Sequence, residues 1–392
     1  MNLHGRSALV SMVSMVPSVS FSFVSLASAA SALLLAACSE APATLGEVGT
    51  ANHEEAVTVD TSTSIGKRQH AANIDFALRY RAACTSAAPS DGGTRRPRAL
   101  VTGFNRFSNH VHNATGQIVT RLVPGMAYPV NTSPDAGVVD DPALHTRAAM
   151  TTIHLPSAGE VDVCVMVLPV FWDLASALVA KELEAFVPDV VFMNGVAGTR
   201  QPLWIELGAI NRAQLSDDGS DRLRPFATPQ GDDPKLVNES DAPDATRLYL
   251  SWSAVKNAAS QAIAAAAASR DDGVRFDAIL PGVRIQSYPR ASNAYLCNNT
   301  TYVVDYLMSH PGRSIELLSA SEVNDAGPSH LDVSVSADLR TVPRVFMHWP
   351  SDLEGAHLDS SAGVVRAMLD AQLTAVRNGD APTLADNRFA DL

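Results

Sequence analysis

The sequence of 392 residues is poor in cysteine, in aromatic residues and in positive charge. Its four cysteines are too few to hold a chain of this length together as a disulfide scaffold. Aromatic side chains make up only 6% of the residues, which argues against a stacking platform for single-stranded nucleic acid. With 29 basic and 41 acidic side chains the net charge is −12, which argues against a nucleic-acid-binding surface.

Several common cofactor and metal motifs are also missing. The sequence contains no phosphate loop that ends in Gly-Lys-Ser/Thr and no His-Glu-x-x-His zinc motif. The stretch from Gly195 to Gly198 is too short for a dinucleotide fingerprint, and His110 and His112 stand among asparagines, a weak pattern for a metal site. What remains is an ordinary globular composition, with 46% hydrophobic and 18% charged residues, typical of an enzyme or a binding protein.

Residues 1–38 have the features of an export signal. Arg6 precedes a long run of small and apolar residues that ends in the sequence LAAC, whose cysteine is Cys38. This ending resembles the lipobox of bacterial lipoproteins, in which the cysteine becomes the lipid-bearing first residue of the mature chain. We therefore expect an exported, membrane-anchored lipoprotein, and a transmembrane anchor interrupted by Pro17 is the alternative.

Residues 39–97 predict a tether between this signal and the body. The first part is rich in small polar residues without a sustained apolar period, and residues 85–97 resemble a second linker. Apolar residues at 74–80 predict one short helix near Cys84. Cys84 and Cys164 are candidates for a disulfide outside the cytoplasm, and a packed thiol is the alternative for Cys164. The compact domain is expected to span residues 98–392.

Within that domain, short apolar runs alternate with segments of helical period. Nearly continuous apolar strands that alternate with helices are typical of a three-layer α/β/α sandwich around a central, largely parallel, twisted sheet. Sites in such sheets gather at the carboxyl ends of the strands. Long polar loops are expected at 124–150 and 212–247. Strands are predicted at 99–102, 163–168, 190–193, 283–288 and 344–348. Helices are predicted at 253–270, 296–308 and 363–377, and a further helix is expected between Asp173, its candidate cap, and Pro188, which breaks it.

Three residues have positions suited to nucleophilic chemistry. Cys297 stands at the start of a predicted helix, where backbone N–H groups favour a thiolate, although a buried apolar thiol is the commoner fate of such a cysteine. His348 ends a predicted strand, where it suits proton transfer or a structural hydrogen bond. Glu206 lies in an apolar stretch, where its carboxylate would orient an imidazole or face solvent.

Four motifs in chain order resemble the pyroglutamyl peptidase I (pyrrolidone-carboxylate peptidase) family of cysteine peptidases. The similarity covers roughly residues 98–378, with insertions. The matching segments are LVTGFNRF at 100–107 with Asn113 six residues on, the stretch 188–211 from PDVV to AIN, YLCN at 295–298, and FMHWP at 346–350.

The resemblance implies a role for each matched residue. Cys297 would be the nucleophile, His348 the general acid and base, and Glu206 the group that orients the histidine. The positions that hold the pyroglutamyl ring in the family correspond here to Phe104, Phe107 and Asn113. The implied activity is that of a cysteine exopeptidase that hydrolyses the amide bond after an amino-terminal pyroglutamyl residue.

The implied reaction passes through a thioester and releases 5-oxoproline, without a metal or an organic cofactor. Its partners would be peptide substrates with a blocked amino terminus. The resemblance and the composition together predict no nucleic-acid partner and a membrane contact through the lipid anchor only. A homo-oligomer is left open.

The sequence also departs from the family pattern. Arg106 stands where the family has proline, Ser108 and Asn109 replace two glycines, and Ser216 replaces an arginine near the oxyanion. These changes spare the three residues of the catalytic pattern but alter the ring pocket. Two alternatives therefore remain: a catalytically silent exported lipoprotein that binds small amides or peptides, and a peptidase or amidohydrolase for a different blocked amino terminus.

Overall fold

The computed structural model describes residues 57–85, 95–107, 110–286, 294–322 and 328–391. The predicted export signal and Cys38 lie outside these residues. Strands in the described part of the chain are β1 (Thr58–Val59), β2 (Arg98–Phe104), β3 (Arg147–Leu155), β4 (Gly159–Leu168), β5 (Val190–Val196), β6 (Leu203–Glu206), β7 (Gly208–Ile210), β8 (Ala245–Arg247), β9 (Tyr249–Leu250), β10 (Arg270–Asp271), β11 (Val274–Arg275), β12 (Val283–Gln286), β13 (Ile315–Leu317), β14 (Ser319–Ala320), β15 (Leu331–Val333), β16 (Arg344–Trp349) and β17 (Thr383–Leu384).

Helices alternate with the main strands along the chain. None of the helices in the described part of the chain has both the length and the hydrophobicity needed to cross a bilayer. The helices are α1 (Ser64–Arg79), α2 (Ala114–Thr120), α3 (Pro142–His145), α4 (Leu174–Phe186), α5 (Trp252–Ala266), α6 (Phe276–Ile279), α7 (Leu296–Ser309) and α8 (Gly355–Arg377), followed by a short 3₁₀ helix at Asn387–Asp391.

The central sheet has the strand order β12-β6-β16-β5-β2-β4-β3, with β9 and β17 added beside β16. Its four middle strands, β16, β5, β2 and β4, are parallel to one another. On one side β3 is antiparallel to β4, and on the other side β6 is antiparallel to β16 and parallel to β12. The middle strands are almost wholly buried, as their continuous apolar runs predict.

Two layers of helices cover the sheet. A Cβ placed on Gly103 of β2 would meet the backbone of α2, whereas one placed on Gly195 of β5 would meet the side chain of Cys297 in α7. The register pairs Thr102 with Met193, so Gly103 and Gly195 face opposite sides of the sheet. Helix α7 packs with α4, and α8 packs with α2 and α5. The predicted three-layer α/β/α fold is therefore confirmed.

The amino-terminal segment 57–85 corrects one prediction, because it belongs to the body and not to a tether. Strand β1 pairs in parallel with β14, and α1 packs on α4. The buried face of α1 is largely polar: Gln69 bonds to the backbone of Asp140 through both ends of its amide, and the imidazole of His70 lies 2.6 Å from the carbonyl oxygen of Leu318. Because polar residues occupy much of this buried face, the sequence of α1 shows no sustained apolar period. The described body begins upstream of Arg98.

A disulfide and a buried carboxylate fasten the end of this segment. Cys84 and Cys164 form a disulfide between the segment and β4. Glu182 of α4 is fully buried and accepts hydrogen bonds from the hydroxyl of Tyr80 (2.6 Å), the N–H of Ala83 (2.7 Å) and the N–H of Cys84 (3.0 Å). These three bonds compensate for the desolvation of the carboxylate.

Some element boundaries and one cap differ from the sequence predictions. Strand β3 begins inside the predicted loop 124–150, and its edge position exposes one face, which weakens its apolar signal. Asp173 does not cap α4 through its side chain and has a left-handed φ of 58°. Its buried carboxylate instead accepts hydrogen bonds from the amide of Asn299 (2.8 Å) and the N–H of Leu318 (3.0 Å). Desolvation raises the pKa of Asp173 to about 6.

Candidate active site

One transverse row of residues crosses the sheet at the carboxyl ends of its middle strands. His348 of β16 is paired with Gly195 of β5 on one side and with Trp204 of β6 on the other, and Trp204 is paired with Arg284 of β12. Phe104 ends β2 two positions beyond the Thr102–Met193 pair and so continues the same row past Gly195. Residues in register share a face of the sheet, so these side chains project to the side covered by α7.

Gly195 leaves a gap in this row, and the thiol of Cys297 lies over the gap. A Cβ placed on Gly195 would stand 2.8 Å from the Sγ of Cys297 and 2.7 Å from the ring of Phe346. Any side chain there would displace the thiol, because Cβ atoms do not approach other heavy atoms so closely. The register partner of Gly195 is His348, whose ring lies 5.0 Å from that of Phe346. Sequence positions 195, 297 and 348 thus meet on one face of the sheet.

His348 is joined directly to Glu206. The Nδ1 atom of the imidazole lies 2.8 Å from Oε1 of the carboxylate, and both side chains are buried. A carboxylate only accepts hydrogen bonds, so Nδ1 carries the proton of this bond and Nε2 is the opposite ring atom. The antiparallel pairing of β6 with β16 produces this contact, because it places Glu206 two residues beyond Trp204 on the same face.

Cys297 occupies the first turn of α7, which begins at Leu296. The cap position, Tyr295, has extended backbone and makes no side-chain capping bond. Asn298 fixes the orientation of this turn, because its amide bonds to both the N–H and the carbonyl oxygen of Ile210 in β7 (2.8 Å each). Backbone N–H groups of a first helical turn point outward and stabilise a negative charge, so this position favours a thiolate and an oxyanion beside it.

An aromatic cluster adjoins this turn. The ring of Tyr295 makes edge-on contacts with Phe107 and with Trp172, each at a centroid distance of 5.6 Å. The hydroxyl of Tyr295 donates to the carbonyl oxygen of Asp217 (2.8 Å), and the indole N–H of Trp172 donates to that of Ser216 (3.1 Å). Burial, together with the charges of Asp218 and Cys297, raises the pKa of Tyr295 well above 10. The cluster therefore ties the loop between β7 and β8 to the helix that carries the thiol.

A buried carboxylate lies in the same loop. Asp218 accepts hydrogen bonds from the N–H and the hydroxyl of Ser220, while its Oδ2 has no hydrogen-bond partner in the described part of the chain. Burial raises its pKa to about 7, and the nearby charge of Asp140 adds to this shift. The loop thus contains a group that changes its charge near neutral pH.

The three residues predicted to hold the pyroglutamyl ring do not all lie at the candidate active site. Phe104 lies in the transverse row and is 2% exposed, and Phe107 reaches the site through its contact with Tyr295. Asn113 caps α2, since its Oδ1 accepts from the N–H (3.1 Å) and the hydroxyl (2.7 Å) of Thr115. No hydrogen bond that the structure describes joins Asn113 to Glu206, Cys297 or His348. A contact of Asn113 with a ligand stays a prediction.

Arg106 is fully buried and forms the centre of a second polar network. Its guanidinium pairs with Asp140 and donates to Asn131 (3.0 Å) and Ser133 (2.6 Å). Asp140 also accepts a 2.8 Å hydrogen bond from Nε2 of His145, whose Nδ1 is buried without a partner. This network contains a histidine–carboxylate pair of the same length as that in the candidate active site, but none of its described members is a cysteine.

Two clusters in the described residues contain three potential metal ligands each. The first consists of Glu182 and the two cysteines of the disulfide, which therefore offers no thiolates. The second, Glu316, His330 and Asp332, lies at the antiparallel pair β13–β15 with both carboxylates largely exposed. Neither cluster includes a residue of the transverse row.

Several site features escaped the sequence analysis. Gly195 and Tyr295 belong to matched motifs, but the resemblance assigns neither of them a role. The role of Gly195 as a gap depends on register, which one sequence does not reveal. The sequence also gives Trp204 and Arg284 no role of their own in the site. For Trp204 a usable signal existed, because it stands two positions before Glu206 in a predicted apolar stretch, and residues two apart in a strand face the same side.

Comparisons with known proteins give structural similarity alone. No protein-family model matches the chain, and no curated protein matches it significantly. Pyroglutamyl peptidase I from Bacillus amyloliquefaciens is 14% identical, with a TM-score of 0.42 over 71% of this chain and 97% of that one. Pyrrolidone carboxyl peptidase from Thermococcus litoralis is 17% identical, with a TM-score of 0.43 over 72% and 96% of the two chains.

A variant of the pyrrolidone carboxyl peptidase from Pyrococcus furiosus is 18% identical, with a TM-score of 0.41 over 70% of this chain and 97% of that one. The chain is similar in structure to each of these three proteins. The fold described above stands on the strand pairing and helix packing of the chain itself.

Proposed function

We propose that this protein is a cysteine exopeptidase that hydrolyses the amide bond after an amino-terminal pyroglutamyl residue. The observation that carries the proposal is the buried hydrogen bond between His348 and Glu206, formed beside the gap at Gly195 that the thiol of Cys297 occupies. A nucleophile, an imidazole and an orienting carboxylate on one face are the parts that acyl transfer requires. The four sequence motifs that resemble the pyroglutamyl peptidase I family support the same assignment.

In the proposed mechanism His348 accepts the proton of Cys297 at Nε2 while Glu206 holds Nδ1–H. The thiolate then attacks the carbonyl carbon of the pyroglutamyl residue, forming a C–S bond and moving the carbonyl electron pair onto oxygen. Backbone N–H groups at the start of α7 stabilise this oxyanion. When this electron pair returns from oxygen to re-form the carbonyl, the C–N bond breaks and His348 gives its proton to the departing amine. The acyl group then remains on Cys297 as a thioester.

Water completes the cycle. His348 removes a proton from the water, whose oxygen attacks the thioester carbon. The C–S bond breaks, 5-oxoproline is released, and the sulfur recovers a proton from His348. The pyroglutamyl ring is small, flat and uncharged, and the rings of Phe104 and Phe107 suit it by apolar burial and stacking.

A second candidate is a peptidase for a different blocked amino terminus. It is favoured by the Arg106 network. Arg106 stands where the matched motif has proline, and it places a buried cation and its partners directly before Phe107 in the chain. A panel of pyroglutamyl, formyl, acetyl and free amino-terminal peptides distinguishes the two candidates. Cleavage of acetyl or formyl peptides in preference to pyroglutamyl peptides would support the second.

We also propose that the protein is exported and carries lipid on Cys38. The disulfide between Cys84 and Cys164 supports this, because such bonds persist mainly in oxidising compartments outside the cytoplasm. Labelling of bacteria with a palmitate analogue tests the proposal. The wild-type chain is expected to incorporate label and a Cys38→Ala variant is expected not to, whereas equal labelling of both would contradict lipidation at this residue.

Hydrolysis of pyroglutamyl-aminocoumarin by the disulfide-bonded protein tests the proposed activity. We expect turnover by the wild-type protein and a loss of roughly 10⁴-fold or more in the Cys297→Ala variant, which removes the nucleophile. The melting temperature of the variant checks that it is folded. If neither protein turns over, yet Cys297→Ala binds a pyroglutamyl peptide in calorimetry, the catalytically silent binder is correct instead.

A further inference from the structure

The order of residues in the transverse row determines the orientation in which a substrate binds. The thiol of Cys297 stands between Phe104 on one side and His348 on the other. In the proposed reaction the acyl group bonds to sulfur while the departing amine takes its proton from the imidazole. The acyl group therefore lies on the Phe104 side, and the departing peptide extends from His348 toward Trp204 and Arg284.

A basic and aromatic surface meets the departing peptide there. Arg284 is exposed, and its guanidinium carbon lies 6.0 Å from the ring centroid of Trp204. Neighbouring strands are about 4.8 Å apart, so Arg284 stands about 10 Å from the strand of His348. An extended peptide advances about 3.4 Å per residue, so a carboxylate on the second or third residue after the cleaved bond reaches the guanidinium.

Gln286 adds a buried hydrogen-bond donor beside this surface. It is paired with Glu206 in register, lies on the same face as Arg284, and is only 3% exposed. The Nε2 atom of its amide has no hydrogen-bond partner among the residues that the structure describes. Buried amide groups in native proteins are nearly always bonded, and an unbonded donor beside a reactive pair suits the main-chain carbonyl of a ligand.

From these observations we propose that Trp204, Arg284 and Gln286 form the binding site for the departing peptide. The enzyme then prefers substrates with a carboxylate on the second or third residue after the cleaved bond. Gln286 donates to a main-chain carbonyl of that peptide, and Arg284 pairs with its carboxylate over the ring of Trp204. This inference rests on the proposed function, since it names the class of peptide that the same site accepts.

Two matched substrates test the charge preference: pyroglutamyl-Ala-Glu-amide and pyroglutamyl-Ala-Gln-amide. They differ in one negative charge and have the same shape. We expect the wild-type protein to favour the Glu peptide in kcat/KM by about fivefold at low salt, because a partly exposed ion pair has this strength. The ratio should approach one in 0.5 M NaCl as the pair is screened.

Two arginine variants identify the source of the preference. Arg284→Gln is expected to bring the ratio of the two kcat/KM values to about one even at low salt. Arg366→Gln, which removes the same charge from an exposed position on α8, is expected to retain it. Equal rates on both peptides by the wild-type protein at low salt, or an unchanged ratio in Arg284→Gln, would overturn the proposal.

The variant Gln286→Leu tests the hydrogen bond to the peptide. We expect kcat/KM for pyroglutamyl-Ala-Gln-amide to fall about tenfold through KM, relative to its value for pyroglutamyl-aminocoumarin, whose leaving group lacks a peptide carbonyl. The melting temperature should stay level or rise, because the unpartnered donor is gone. If Gln286 had a merely structural role, kcat/KM would fall equally for both substrates, and that result would exclude Gln286 from the peptide site.

A binding measurement separates this inference from the proposed activity. Calorimetry of Cys297→Ala with the free peptides Ala-Glu-amide and Ala-Gln-amide requires no cleavage. Tighter binding of the Glu peptide, lost on adding Arg284→Gln, supports the peptide site even if no substrate is hydrolysed. Equal or absent binding of the two peptides, in a protein that hydrolyses pyroglutamyl-aminocoumarin, overturns the peptide site and leaves the proposed activity standing.

Discussion

Two buried histidine–carboxylate pairs of equal length lie in different surroundings in this molecule. His348 lies 2.8 Å from Glu206, and His145 lies 2.8 Å from Asp140. The first pair stands beside the gap at Gly195 and the thiol that occupies it, whereas the second is locked by the guanidinium of Arg106. The comparison teaches that such a pair alone does not define a catalytic site. What lies against the far side of the imidazole decides its role.

Replacing each histidine in turn gives the largest expected contrast. We expect His348→Gln to lower kcat for pyroglutamyl-aminocoumarin by roughly 10⁴-fold, because the proton acceptor and donor is lost. His145→Gln should keep kcat within a few-fold but lower the free energy of unfolding by about 2 kcal/mol, as a buried bond is lost. Kinetics below the melting temperature and urea unfolding of both variants check this, and similar kinetic losses in both would erase the distinction.

Removing only the charge of the site carboxylate is the next test. We expect Glu206→Gln to lower kcat by about 10³-fold, because a neutral amide does not stabilise the imidazolium and its NH2 group, which donates, favours the wrong tautomer of His348. The matched variant Asp140→Asn should affect the free energy of unfolding far more than kcat, since it leaves Arg106 buried without a counter-charge. A Glu206→Gln enzyme with undiminished kcat would show that the carboxylate has no part in the reaction.

The structural pair has its own weak point in Arg106. We expect Arg106→Met to lower the free energy of unfolding by about 3 kcal/mol, because Asp140 keeps its burial and loses its cation. Adding Asp140→Asn should recover part of that loss, as the remaining group is neutral. Urea unfolding of both proteins measures this, and a double variant less stable than the single one would contradict the charge argument.

A methyl group at the gap tests whether the thiol position matters. We expect Gly195→Ala to lower kcat by about 10²-fold, because its Cβ would stand 2.8 Å from the sulfur and move it away from His348. Gly363→Ala is the control, since a Cβ at that exposed helical position meets nothing within 4 Å. It should leave kcat unchanged and stabilise α8 slightly. Equal kcat in the two variants would count against the gap.

The smallest effect concerns Asp218, whose charge interacts with both Asp140 and Tyr295. Its folded-state pKa is raised to about 7, so the folded protein keeps a proton that the unfolded chain loses near pH 4. Stability therefore falls as pH rises between these values. We expect Asp218→Asn, which does not titrate, to gain about 2 kcal/mol relative to wild type between pH 4 and pH 8. Parallel pH profiles from urea unfolding would contradict this.

Much of the fold was predictable because it depends on local signals. The apolar runs at β2, β4, β5 and β16 and the helical period of α4 and α7 are strong over short stretches, and they alternate as an α/β sandwich requires. Helix α1 was underestimated because Gln69, His70 and Asn73 lie on its buried face, where Gln69 and His70 form hydrogen bonds to the body in place of apolar contacts. A pattern of hydrophobicity does not reveal a polar interface.

The site was predictable only in part, because its parts come from distant positions. Cys297 at a helix start and His348 at a strand end have local signatures, and the family resemblance joined them to Glu206. The gap at Gly195 and the alignment of Trp204 with Arg284 depend on strand order and register. Single residues do not carry that information. The burial of Arg106 likewise depends on Asp140, 34 positions away.

The fastening of the amino-terminal segment has a practical consequence for anyone who produces this protein. A shortened gene beginning at Arg98 would encode a chain without Cys84, leaving Cys164 as a reactive thiol. It would also leave the carboxylate of Glu182 without the three donors that surround it. Expression should therefore start upstream of Val57 and be directed to an oxidising environment, so that the bridge closes before the material is harvested.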